Sequence, residues 1–366
     1  MIYEVDFVRY KNFKNIEANV DKLVDMGVTI FQLMPIMEHD NIGGWGYCGI
    51  FLDQIHHEYG TIEELKSLIR KVEGRGGKVF VDTVFNHCKD VGQFPKSWFI
   101  PNFNGSGCGN TFNAHNRDFQ DYCMNILHKL KDIGVKGFRF DLAPLLRCNK
   151  DGKQIYEGSL MQRIDNELSC CTIIVEPWSC VSYDKASFKM TNYEWSDQTR
   201  DTLRKFMLCR CKLYEVVGCM NSYVRNINFI TCHDGMSLLD VLSYPYKNNY
   251  INGEENRDGN SNEVVGEYGF DLTEKIDRVK KGIKLLILAK GIPMIRSYDE
   301  LLITYFGNNN NWRGLAEYDL TYDLSEYIKE CVELRNTIDH FYPYECIDDN
   351  TIGCVGKDGV YKKINI

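Results

Sequence analysis

Eight short apolar runs punctuate this 366-residue chain, at residues 2–7, 29–34, 79–84, 137–141, 172–176, 191–195, 227–231 and 292–296. Stretches with helical apolar spacing separate them, over 16–26, 62–73, 119–133, 160–168, 197–211 and 276–289. Apolar residues recurring every three or four positions mark one face of a helix, whereas a short bounded apolar run marks a buried strand. Strands alternating with helices call for parallel β-α units. Eight such units at this length predict a closed (β/α)8 TIM barrel with long βα loops. The competing arrangement, an open doubly wound sheet, would carry a G-x-G-x-x-G turn joining an early strand directly to its helix, and no early run here passes directly into one. A helix over 325–337 and a hairpin over 351–364, turning at Asp358-Gly359, follow the last unit as a very short tail.

Three connections are long and rich in Gly, Asn and aromatics: 39–59, 87–116 and 245–270. In a barrel all three follow the C-terminal ends of strands, the face where such enzymes keep their chemistry. Their density of Trp, Tyr and Asn predicts ordered, ligand-facing loops. Aromatics make up 13% of the chain, and their faces suit sugar rings, although core packing accounts for most aromatics in any protein.

The net charge of −8 with no long basic run argues against nucleic acid or an anionic membrane as partner. The fifteen cysteines are scattered, with no C-x-x-C pair to suggest zinc, and many lie in apolar runs. That usage favours a reducing compartment. The first residues read as a strand, not a signal peptide, and no stretch of ~20 apolar residues is present to span a bilayer. A cytoplasmic location is expected.

The run Gly137-Phe138-Arg139-Phe140-Asp141 carries the most chemistry. Alternate side chains of a strand share a face, so Arg139 and Asp141 point one way and the two phenylalanines the other. A cation that close keeps a carboxylate ionised, as a nucleophilic Asp requires. A structural Arg–Asp pair in an α/β core would look the same in these five residues. Other strand ends add to the set: Asp82, Asn86 and His87 after the third, Glu176 at the fifth, His233 and Asp234 at the seventh. Polar groups from several strand ends build a barrel's active site, and glycoside hydrolysis needs paired carboxylates.

At these residues the chain resembles the α-amylase superfamily, glycoside hydrolase family 13. Four signature regions match in order and spacing: Val81-Asp82-Thr83-Val84-Phe85-Asn86-His87, Gly137-Phe138-Arg139-Phe140-Asp141, Ile174-Val175-Glu176-Pro177-Trp178, and Phe229-Ile230-Thr231-Cys232-His233-Asp234. Within it, the chain resembles isoamylase and bacterial glycogen debranching enzymes most. Trp45-Gly46-Tyr47, Gly107-Cys108-Gly109-Asn110-Thr111, Asn252-Gly253-Glu254-Glu255-Asn256-Arg257-Asp258-Gly259 and Gly307-Asn308-Asn309-Asn310 carry that likeness.

The resemblance implies Asp141 as nucleophile, Glu176 as general acid/base and Asp234 as the third carboxylate that grips sugar hydroxyls. Arg139 would keep Asp141 ionised. His87 and His233 would hydrogen-bond the sugar, Tyr47 would stack on it, and Trp178 would face the leaving-group side. Asp82 and Asn86 would shape the loop and the Arg139 environment. No metal or other cofactor is required; some relatives bind structural calcium near Asn86, but no acidic cage is legible here. Residues 1–322 would form the catalytic barrel, with a small loop insertion at 87–116, and 323–366 a C-terminal helix and short β stub.

The substrate implied is an α-glucan oligo- or polysaccharide, cut with retention, most naturally at α-1,6 branch linkages. Cleavage of α-1,4 links, glucanotransfer, or a non-catalytic glucan-binding role remain the alternatives. Full debranching enzymes carry an N-terminal β-sandwich and a larger C-terminal domain, which this sequence does not show. Shorter oligosaccharides are therefore expected to suit it better than large polymers. Three local departures stand out: Gly49, Ser179-Cys180 after Glu-Pro-Trp, and Ser297-Tyr298-Asp299-Glu300 at the eighth strand.

Overall fold

A computed structural model describes residues 1–39, 45–89, 91–222, 225–266, 271–315 and 317–366. Parts of the three long connections, namely 40–44, 90 and 267–270, thus lie outside the described residues. Eight strands form a closed barrel in sequential order. They are β1 (Ile2–Val5), β2 (Ile30–Leu33), β3 (Lys78–Thr83), β4 (Gly137–Phe140), β5 (Thr172–Val175), β6 (Tyr193–Ser196), β7 (Asn226–Asn228) and β8 (Ile292–Arg296). Each of the eight expected runs thus supplies a strand. Contacts group the chain into two compact units, one of Val5–Val20 and Ile30–Trp195, the other of Met1–Glu4, Asp21–Thr29 and Ser196–Ile366.

In the first of these, β2, β3, β4, β5 and β6 pair in parallel, with Asp82 level with Arg139 and Phe140 level with Val175. Gly137 has a steric reason at the start of β4. A Cβ there would stand 2.8 Å from the Phe80 ring and 2.8 Å from the Thr172 carbonyl oxygen. The expected 16–26 helix is α1 (Phe13–Asp25). Helices α2 (Ile62–Gly74), α3 (Arg117–Asp132) and α4 (Leu160–Glu167) start at Thr61, Asn116 and Ser159, whose side chains accept backbone N–H bonds of the first turn. Thr61 and Glu64 complete a capping box.

The described residues of two long connections in this unit include antiparallel pairs: Met37–His39 with Gly49–Ile55, and His87–Cys88 with Asn110–Thr111. The aromatics of the second do not face a ligand as expected. Phe94, Trp98, Phe99 and Phe112 stack on one another and on Phe119 and Tyr122 of α3. Packing the loop onto its helix uses them up.

In the other unit β7 pairs with β8, and β8 with β1, again in parallel. Its helices include α5 (Asp197–Met207), α6 (Leu213–Met220), α7 (Leu272–Leu288) and α8 (Ser325–Asn336). The expected 197–211 helix stops at Met207 because Cys209 adopts a left-handed φ of 56°, and α6 begins afresh beyond it. The tail is larger than a hairpin: β9 (Glu345–Asp348) joins β10 (Thr351–Val355) and β11 (Tyr361–Asn365) in a three-stranded sheet. Among the described residues no helix is long and apolar enough to cross a membrane.

Candidate active site

Arg139 is the hub of the Val5–Trp195 unit. It is buried, and its Nη1 donates to Asp82 Oδ1 and Oδ2 at 3.0 and 2.8 Å, to Asp141 Oδ1 at 3.0 Å and to the Tyr47 hydroxyl at 3.0 Å. Its Nη2 donates to Glu176 Oε2 at 2.8 Å. The Trp195 ring lies 4.3 Å under the guanidinium, a cation–π contact from the end of β6. Tyr47, delivered by the hairpin after β2, donates its own hydroxyl proton to Asp82 Oδ2 at 2.6 Å. The alternation read from the pentapeptide holds, since Arg139 and Asp141 share the polar face while Phe138 and Phe140 lie buried in the core.

Asp141 receives a second clamp. Asn86 Nδ2 donates to its Oδ2 at 2.8 Å and to its backbone carbonyl at 2.9 Å. Asn86 Oδ1 in turn bonds the Nδ1 of His87. Asn86 therefore grips the carboxylate itself, a closer role than shaping the loop. Leu142 follows with a left-handed backbone, φ 40° and ψ 50°, and its N–H donates to Glu176 Oε2 at 3.0 Å. Strained conformations of non-glycine residues persist where surrounding contacts impose them, and here the strain aims an N–H at a carboxylate.

The two carboxyls have opposite electrostatics. Burial alone would raise Asp141, but Arg139, His87 and hydrogen bonds from Glu176 and Asn86 hold it below its ordinary value. Burial pushes Glu176 up to about 8, with the neighbouring Asp141 charge adding to the rise and Arg139 opposing it. One guanidinium faces three carboxyls, so the group with least compensation keeps its proton. His87 is lowered by burial, against the pull of Asp141. Trp178, half-buried, follows Glu176 and pairs its backbone with Tyr183.

The remaining expected residues belong to the other unit. His233 is buried; its N–H donates to Glu4 Oε2 at 2.8 Å, and its Nδ1 lies 2.9 Å from Glu4 Oε1. Asp234, the next residue, is exposed. Nearby backbone is anchored by a buried Arg204–Glu263 pair at 2.6 Å, and Gly235 N–H donates to the Asn309 carbonyl at 2.9 Å. Glu4, Trp195 and the Leu142 N–H escaped the sequence reading. Glu4 was legible only as an acidic residue inside an apolar strand, and a backbone N–H leaves no mark in a sequence at all.

The chain is similar to known proteins over most of its length. Residues 12–104 match the family model of the alpha-amylase catalytic domain. The chain is 27% identical over 378 residues to a glycogen debranching enzyme of Pectobacterium atrosepticum, an alignment spanning 87% of this chain and 57% of that protein. It is 28% identical to a glycogen operon protein GlgX homolog of Haemophilus influenzae over 88% of this chain and 58% of that one. The chain thus spans just over half the length of the curated relatives it matches. Among solved structures, a pullulanase from Bacillus acidopullulyticus superposes with a TM-score of 0.74 at 20% identity, over 99% of this chain and 54% of that one. By barrel and by sequence, this chain is similar to alpha-amylase catalytic domains.

Proposed function

We propose that this chain is a retaining α-glucan hydrolase that cuts α-1,6 branch linkages of glycogen- or starch-type saccharides. One observation carries the reading: two buried carboxyls share the Arg139 guanidinium, one held ionised and one held protonated. Pairs of titratable groups pushed apart in this way mark nucleophile and acid. Each bonds a different nitrogen of the same guanidinium, a close spacing that suits double displacement better than an intervening water.

In this reading Glu176 donates its proton to the glycosidic oxygen as Asp141 attacks the anomeric carbon, releasing the leaving saccharide and forming a glycosyl ester. Glu176, now a carboxylate, takes a proton from water. The hydroxide formed attacks the anomeric carbon and frees Asp141, with net retention. Asp234 and His233 would bind sugar hydroxyls, as would His87, while Tyr47 and Trp178 would present rings to the saccharide. Names among the relatives and structural neighbours support the α-1,6 preference, including glycogen debranching enzymes and a cyclic α-maltosyl-(1→6)-maltose hydrolase from Arthrobacter globiformis. We assign catalysis to residues 1–322, with 323–366 as an appended tail. Buried thiols such as Cys123 and Cys148 in the core support a cytoplasmic setting.

Incubation of the protein with pullulan, β-limit dextrin and amylose tests this. Reducing sugar from pullulan or β-limit dextrin is expected. Release from amylose alone would move the activity to α-1,4 links, and none from any of the three would leave a glucan-binding protein.

A further inference from the structure

The hairpin that carries Tyr47 has both its ends gathered on one carboxylate. Glu38 lies in its first strand, and His56 and His57 follow its second. Glu38 Oε2 accepts the His57 backbone N–H at 3.0 Å, and Oε1 lies 3.0 Å from His57 Nδ1. His56 is fully buried, yet its Nε2 has no hydrogen-bond partner and points toward Glu38 Oε1, 3.9 Å away. One ligand atom from each of the three lies within 4.8 Å of the others. The His56 ring packs against both His39, at 4.2 Å, and Tyr59, at 4.4 Å.

A buried ring nitrogen without a partner is unfavourable, so this arrangement asks for something between the three side chains. We propose that Glu38, His56 and His57 form a binding site for a divalent ion of the Zn2+ class. Two imidazoles and one carboxylate are a borderline donor set that suits zinc and leaves its fourth position to water. Ligands about 2.0–2.1 Å from zinc stand roughly 3.3 Å apart in a tetrahedron, so Glu38 and His57, 3.0 Å apart, already stand near ligand spacing, and His56 Nε2, 3.9 Å from Glu38, has to move in. Coordination through Nε2 moves its ring proton to Nδ1, which now accepts the Glu58 N–H at 3.3 Å, so the ring turns a little on binding. His57 shifts its proton from Nδ1 to its exposed side, and its exposure gives the ion a path in. The ion takes no part in sugar chemistry. It closes the base of the hairpin, which stiffens the segment that hands Tyr47 to Asp82 and Arg139.

The test is Zn2+ itself. Protein stripped with a chelator is titrated calorimetrically, and its metal content is measured after dialysis. One ion per chain is expected, with a Kd of roughly micromolar or tighter. His57→Ala, at an exposed position, and Glu38→Gln should each weaken binding by at least about 10-fold, since even outer-shell changes cost that much. Co2+ should give tetrahedral visible bands that both variants lose. Absence of stoichiometric binding by the folded protein would overturn the proposal, as would binding that both substitutions leave unchanged. Neither readout depends on glucan hydrolysis.

Discussion

Asp141 and Glu176 occupy the two ends of one guanidinium, at 3.0 Å from Arg139 Nη1 and 2.8 Å from Nη2. Because Nη1 is also saturated by Asp82, Asp141 is drawn into a dense, well-compensated network. Glu176 has Nη2 and one backbone N–H. That asymmetry drives the two carboxyls, the proposed nucleophile and acid, apart within one buried cluster.

Asp141→Asn should remove turnover, by at least about 10^4-fold in kcat, as loss of a nucleophile does in other hydrolases. The amide preserves shape and keeps one acceptor for Arg139, so the fold and maltooligosaccharide binding should survive. Initial rates with calorimetric binding check this. A variant that turns over normally would place the nucleophile elsewhere.

Activity should fall as pH rises through about 8, where Glu176 loses the proton it must donate. Stability follows the same group. Its folded value lies above the unfolded value of about 4.3, so the folded state binds the extra proton, and this stabilisation is lost as pH rises toward about 8. Glu176→Gln should therefore be inactive and melt higher than the parent at pH 9. Rate profiles and melting curves across pH 5–9 report both effects.

Asp82→Ala should destabilise the protein by about 3–5 kcal/mol, because it strips a buried partner from Arg139 and leaves charge uncompensated. Tyr47 loses its acceptor in the same step. Denaturant unfolding measures the loss, and an effect under ~1 kcal/mol would mean that Asp141 and Glu176 suffice for Arg139.

Gly137→Ala should cost about 1–3 kcal/mol by overpacking, since the new methyl meets both the Phe80 ring and the immovable Thr172 carbonyl. Chemical denaturation with activity per folded molecule separates this from any effect on catalysis. The expectation is lower stability with near-normal turnover.

The eight strands, most of the helices and the polar strand ends were legible in the sequence because each depends on local spacing. Apolar runs mark buried strands, period-3.6 stripes mark helices, and a five-residue alternation puts Arg139 beside Asp141. Only the tertiary structure decided what those groups do to one another. Asp82 and Arg139 become partners through strand register, Trp195 slides under the guanidinium from another strand, and Leu142 turns left-handed to reach Glu176. The aromatics of 87–116 look ligand-facing in sequence and prove to be packing, since residue type does not reveal which way a loop side chain turns. Protonation lies furthest from sequence: Asp141 and Glu176 are near-equivalent acids in a peptide, and burial with unequal shares of one cation drives them apart.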